Sequence, residues 1–172
     1  QGYSSAASDV YKRQTRGMRV GDEAEFEGHM LEVTLGPGML SRNYDGLQND
    51  LDKMEGVFLR RGEYTFPLDN DKLWDFKPLA KVGDKVAAGG WLGEVDENFQ
   101  PHKIMVPFTF KGEYTVKSLK EAGQYTIGEV IAVLTDETGK DVEVTMIQRW
   151  PVKCAITCYK EKPRPYKLLE TG

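Results

Sequence analysis

Lys81-Val82-Gly83-Asp84-Lys85-Val86-Ala87-Ala88-Gly89-Gly90-Trp91-Leu92 reads as a turn, a short strand, a glycine turn and an apolar strand. Glycine stands where a tight turn needs backbone angles that other residues resist. The pattern returns downstream as Ala122-Gly123-Gln124-Tyr125 followed by Gly128 and Ile131. Two copies of one such unit predict a compact β sandwich or barrel with pseudo-twofold symmetry. Chance likeness between glycine-rich hairpins is the competing reading of the same pattern.

Outward from this stretch the chain is mainly β, and helical periodicity is almost absent. Trp91–Val95, Lys103–Val106 and Tyr114–Leu119 are expected strands. Ile131–Leu134 and Val142–Trp150 are expected to flank a hairpin turn at Glu137-Thr138-Gly139-Lys140. Val142, Val144 and Met146 alternate with Glu143 and Thr145, as in a half-buried strand. Trp150-Pro151 should end it, because proline donates nothing to a ladder. Upstream, Glu23–Phe26 and Met30–Leu35 read as two strands, and Gly36-Pro37-Gly38 breaks the chain. Ser41–Lys53 is turn-rich, with at most one short helix near Leu51. Val57–Leu59 is a brief apolar run. The aromatics Tyr64, Phe66, Trp74 and Phe76 are expected to cover a core edge. Lys160–Pro165 reads as a basic, proline-rich linker.

Bulk properties narrow the function. The chain has 172 residues, 40% apolar, with a net charge of −4 and no basic block, which gives nucleic-acid binding no electrostatic support. No apolar run reaches the length of a membrane-spanning helix. Cys154 and Cys158 form one close pair, short of both a zinc set and a disulfide framework. A reduced compartment with passive thiols is the simpler reading. Ser4 to Gln14 resembles translated sequencing adapter, since Asp9 to Gln14 can be encoded by GAT GTG TAT AAG AGA CAG. Residues 1–15 are therefore expected to be a disordered artefactual tail. Gly172 then need not be a natural end.

The chemistry-bearing patterns are sparse. Nothing matches the phosphate loop G-x-x-x-x-G-K-[ST]; Gly139-Lys140 lacks its upstream glycine and its hydroxyl residue. The stretch 82–92 resembles biotinyl and lipoyl carrier domains, which present a modified lysine on an exposed hairpin tip. The corresponding stretch here, Glu94-Val95-Asp96-Glu97-Asn98-Phe99, has no lysine, and Lys103 and Lys111 lack the flanking pattern. His29 and His102 have no clustered partners and read as surface or packing residues. The pairs Asp22/Glu23 and Asp96/Glu97 read as solvated loop charges. Asp45 and Asp52 flank a turn, where aspartate commonly bonds its own backbone. No nucleophile elbow supports a Ser/His/Asp set. No catalytic, cofactor-binding or metal-binding residue is nominated.

A set of phrases in order carries a more specific resemblance. Val33-Thr34-Leu35-Gly36-Pro37-Gly38-Met39-Leu40 and Tyr44-Asp45-Gly46-Leu47-Gln48 come first. Phe58-Leu59-Arg60-Arg61-Gly62, Trp74-Asp75-Phe76-Lys77-Pro78 and Lys81-Val82-Gly83-Asp84 follow. His102-Lys103-Ile104-Met105-Val106-Pro107, Met146 to Val152, Lys162-Pro163-Arg164-Pro165 and Leu169-Glu170-Thr171-Gly172 complete the set. Together they resemble the catalytic A subunit of V/A-type rotary ATPases over about residues 16–172. Asn49-Asp50, where many relatives carry Arg-Pro, and Cys154–Tyr159 depart from the pattern and suggest a bacterial subgroup.

The resemblance implies that residues 16–53 hold the end of an N-terminal β barrel and a crossover. Residues 54–150 would be an inserted, biotinyl- or lipoyl-like β bulge, and residues 151–172 a linker into a nucleotide domain beyond this sequence. A barrel cut short in this way should leave unpaired strand edges before Gly56. The resemblance also implies a parent enzyme that couples ATP hydrolysis or synthesis to H⁺ or Na⁺ flow, with ATP and Mg²⁺ bound elsewhere. Its partners would be B subunits in an alternating hexameric head, with central and peripheral stalk subunits. Its location would be the cytoplasm, peripheral on the inner face of a bacterial plasma membrane, without direct membrane insertion. A carrier domain without its lysine, or a β-rich protein-binding module, remains the alternative.

Overall fold

Gly83 and Gly89 both take positive φ, +94° and +76°, in the left-handed region that glycine enters without steric cost. They fold the chain sharply on either side of a three-residue strand, as the repeat predicts. The computed structural model describes residues 20–21, 23, 30–54 and 64–158. The expected strand over Glu23–Phe26, the run Val57–Leu59, the tail 1–15 and the linker Lys160–Pro165 lie outside those residues, wholly or all but Glu23.

Among the described residues the strands are β1 (Glu32–Leu35), β2 (Trp74–Pro78), β3 (Lys85–Ala87), β4 (Trp91–Glu97) and β5 (Gln100–Met105). β6 (Glu113–Leu119), β7 (Gly123–Tyr125), β8 (Ala132–Thr135), β9 (Asp141–Val144) and β10 (Gln148–Pro151) follow. Leu51–Lys53 forms one 3₁₀ turn, the short helix expected near Leu51. Two four-stranded sheets run in the orders β5-β4-β2-β7 and β3-β6-β8-β9, and β1 pairs with β10 in a separate ribbon. All the pairings are antiparallel.

The repeat is real in three dimensions. β2 to β5 form one half and β6 to β9 the other, and each half lends its second strand to the opposite sheet. Thus β7 joins β2, and β3 joins β6. Matched bonds mark the symmetry: the Ala80 N–H donates to the Leu92 carbonyl at 3.1 Å, and the Lys120 N–H to the Ile131 carbonyl at 2.8 Å. The echo of Leu92 by Ile131 therefore reflects equivalent positions.

The interior is filled by side chains in two clusters. Leu68, Trp74, Phe76, Val95, Ile104, Ile127, Ile131 and Met146 form one, and Leu92, Val106, Val116, Ala132, Leu134 and Val144 the other. Leu119 packs against both. Trp74 and Phe76 are core residues, not covers of a core edge, because β2 lies centrally in its sheet and points both rings inward. Tyr64 by contrast is exposed. A side chain at Gly93 would meet Phe76 Cε2 at 2.2 Å, so the glycine inside β4 makes room for that ring.

The single strand expected over Val142–Trp150 is two strands. Val144 faces the second cluster and Met146 the first, so the inward alternation persists while the chain changes sheets. The Thr145 hydroxyl donates to the Ile147 carbonyl at 3.1 Å across the break. Pro151 closes β10 opposite Glu32 at the end of the ribbon.

The ribbon edge expected to be bare is not bare at Thr34. The Gln48 side-chain amide accepts from the Thr34 N–H and donates to the Thr34 carbonyl, each at 2.7 Å. A side chain of the crossover here takes the place of a neighbouring strand.

Candidate functional site

Gly36-Pro37-Gly38-Met39-Leu40 leaves β1 in a turn that cannot satisfy its own amides. Gly36 is seated against the barrel, where an added Cβ would lie 2.7 Å from Ile147 Cγ2. The N–H groups of Gly38 and Leu40 then converge on Glu97 Oε1, at 2.8 and 2.9 Å. His102 Nδ1 lies 2.7 Å from Glu97 Oε2. Glu97 ends β4 and His102 sits on β5, so one hairpin supplies both side chains.

Glu97 is only 3% exposed, which corrects its reading as a solvated loop charge. Burial alone would lift its carboxyl. The hydrogen bonds from His102, Leu40 and Gly38, with the His102 charge, outweigh it and hold the group below its ordinary value. Strand parity carried the missed signal: Val95 points in and Asp96 out, so Glu97 points in. His102, expected as a surface or packing residue without a carboxylate partner, has one in Glu97, and its half-buried ring closes this junction. Asp96 is exposed as expected.

A second polar knot holds the crossover. The Asp45 carboxylate accepts from the Leu47 and Asn49 N–H groups at 2.9 and 2.7 Å, the self-bonded turn expected of it. Asp52 does not play that role. Asp50 does, by capping the 3₁₀ turn through the Asp52 N–H at 3.1 Å. Asp50 is buried and flanked by Arg42 Nη1 at 3.4 Å and Lys53 Nζ at 3.5 Å. Asn49 Oδ1 accepts from the Thr65 N–H at 3.0 Å, and the Asp50 N–H donates to Thr65 Oγ1 at 2.8 Å. Asn49 and Asp50 therefore tie the crossover to Thr65.

Glu97 and Gln100 face each other across a two-residue loop, Asn98-Phe99, with φ of +51° and +65°. Positive φ at both positions is the geometry of the tight hairpin turn that matches strand twist. Phe99 stands fully exposed at this tip, where the carrier resemblance would want a lysine. Lys103 pairs with Glu94 on the hairpin flank.

The remaining candidates are not assembled into a centre. His29 and Asp22 lie outside the described residues. Cys154 is exposed and Cys158 half-buried, and both are free thiols. Gly139 and Lys140 lie in the β8–β9 turn. Among the described residues, no group of three or more His, Cys, Asp or Glu side chains is placed to hold a metal ion, and no helix is long and apolar enough to cross a membrane. A depression of about 480 Å³ is bordered by Leu119, Lys120, Glu129 and Ile131. Glu97, ionised and already accepting three hydrogen bonds, is a poor general base at neutral pH. The arrangement joins and positions chain segments.

Two interlocked four-stranded sheets with a side-chain-filled interior define a barrel-sandwich domain. Residues 65–153 match the family of the ATP synthase alpha/beta subunit barrel-sandwich domain, and the chain belongs to that family. It is 46% identical over 160 residues to a V-type ATP synthase alpha chain of Treponema denticola, covering 91% of this chain and 27% of that protein. Against the V-type ATP synthase alpha chain of Borrelia garinii subsp. bavariensis the identity is 47% over 154 residues, covering 88% and 27%. For Borrelia turicatae the figures are 46% over 160 residues, 91% and 28%. The chain thus spans about a quarter of the length of these curated relatives.

Proposed function

We propose that this sequence is part of the catalytic alpha (A) chain of a bacterial V-type ATP synthase and does positional work within it. Residues 16–53 supply the end of an N-terminal barrel and a crossover, and residues 54–150 the inserted bulge. Residues 151–172 lead toward a nucleotide domain. The parent enzyme couples ATP hydrolysis or synthesis to H⁺ or Na⁺ movement, and its ATP and Mg²⁺ bind outside this stretch. Its partners are B subunits in an alternating head and the stalk subunits, peripheral to the inner face of the membrane.

One observation carries the reading: similarity to the alpha chains runs through nearly the whole sequence, across the crossover as well as the barrel-sandwich. Two further facts support a positional role. The sequence has no phosphate loop, and phosphoryl transfer depends on groups that cradle phosphate and Mg²⁺. The carrier alternative gains nothing from a hairpin tip made of Asn98 and Phe99.

Calorimetric titration of the purified chain with ATP and Mg²⁺ tests this. The expected result is no binding and no turnover. Tight nucleotide binding by the chain alone overturns the positional role.

A further inference from the structure

The crossover is fastened to the barrel-sandwich at both of its ends. At the first, Glu97 holds the Gly38 and Leu40 N–H groups, and Asn98 Nδ2 donates to Ser41 Oγ at 3.2 Å. Core side chains seat the same turn: a Cβ added at Gly38 would lie 3.5 Å from Trp74 Cζ2 and 3.9 Å from Leu68 Cδ2. At the second, the Tyr44 hydroxyl donates to the Pro67 carbonyl at 2.8 Å, and Lys53 Nζ donates to the Phe66 and Leu68 carbonyls, each at 3.2 Å. Turning the crossover against the barrel-sandwich would strand several part-buried groups at once. The β1–β10 ribbon is fixed as well. Phe108, in the connection between the halves, donates its N–H to Gln148 Oε1 at 2.8 Å and sets its ring edge-on to Trp150, with centroids 5.7 Å apart. Trp150 Nε1 then donates to the Cys154 carbonyl at 2.8 Å, which extends the fixed body to that residue.

Support ends there. Residues 152–157 are exposed, and among the described residues Ala155, Ile156 and Thr157 make no hydrogen bond to another part of the chain. Beyond them the Cys158 thiol reaches the Phe108 carbonyl at 3.9 Å, a long sulfur contact. A segment with exposed backbone and few contacts opens at the low end of a protein's range of local stability. Short loop segments beside fixed parts are where chains bend.

We propose that residues 155–157 are a hinge on which this whole body turns against the part of the alpha chain that follows, with the Cys158 thiol on Phe108 as its releasable catch. The proposal rests on the reading of the previous section and adds where that chain bends. Phe108 serves both sides of the hinge. Its ring and N–H clamp the ribbon, and its carbonyl meets the catch. One weak contact can therefore break without disturbing the bonds that hold the body together.

The experiment uses the full alpha chain in its assembled complex, with encoded nitroxide amino acids read by pulsed dipolar spectroscopy. One pair, at the exposed positions Leu47 and Lys140, lies within the body. The other joins Lys140 to a surface position beyond residue 172. Between Mg-ATP and Mg-ADP the first distance should hold constant, while the second should shift or show about twice the spread of the first. A shift within the first pair, or equally narrow and unchanging distances for both, overturns the proposal. Cys158→Ala provides the second arm. It should widen the second distribution and raise protease cutting at residues 155–157 about threefold, with the thermal unfolding of the barrel-sandwich unchanged. An unwidened distribution, or a loss of thermal stability, would make Cys158 a packing residue only and defeat the proposal. If the unsubstituted chain enters no complex, the alpha-chain reading fails, while the same two distances in the free full-length chain still decide the hinge.

Discussion

At Glu97 a carboxylate stays ionised while buried, because its surroundings replace water with three donors. Two come from a loop that precedes it by nearly sixty residues, so the contact fixes the crossover to the hairpin. Glu97→Ala leaves the Gly38 and Leu40 N–H groups without their acceptor, and we expect it to destabilise the chain by about 3 kcal/mol in urea unfolding. A loss below about 0.5 kcal/mol would mean that the loop re-pairs elsewhere. The pH dependence has a definite sign. The folded group titrates below its ordinary value of 4.5, so its contribution is complete above that value and is lost as the pH falls through the lower folded one. Unfolding curves between pH 3 and 7 should show this loss in the parent and not in Glu97→Ala. Part of this junction was legible in the sequence. Parity from Val95 points Glu97 inward, but nothing in the local pattern names the Gly38 and Leu40 amides as its partners. Such a contact is set by tertiary approach, and an acidic pair next to a turn looks solvated without it.

Among the elements, β1 shows how an edge is closed without another strand. One side of Glu32–Leu35 pairs with β10, and at Thr34 the other side meets the Gln48 amide. An amide can accept and donate at once, so it completes both backbone groups of one strand residue. Gln48→Ala should remove both bonds, lower stability by about 1–2 kcal/mol and speed hydrogen exchange at the Thr34 N–H. Unaltered exchange at Thr34 would show that another group covers that edge. The short strands of the barrel-sandwich were readable because glycine turns bracket them and one face alternates. The division between β9 and β10 was not. A chain that crosses from one sheet to the next without losing its inward period leaves no mark in hydrophobicity. The crossover's self-bonded turn was visible at Asp45, whereas the capping role fell to Asp50, two residues before Asp52, where the Asp50 N–H is held by Thr65 Oγ1.

Across the whole molecule, the exchange of β3 and β7 decides how the protein unfolds. Each four-stranded sheet is complete only with a strand from the opposite half, so neither half owns a finished sheet. The two apolar clusters also share Leu119, which leaves no layer along which they could part cleanly. Small domains of this kind lose structure in one step when no subset of contacts is stable alone. We therefore expect the amide resonances of Phe76 and Ile104, in the first cluster, to disappear at the same urea concentration as those of Val116 and Leu134, in the second. Pieces split after Val106, within the connection between the halves, should each be unstructured alone and regain the barrel-sandwich spectrum on mixing. Separate midpoints for the two clusters, or a folded spectrum from either piece, would mean that the halves are independent units and that the strand exchange is a late, dispensable embellishment.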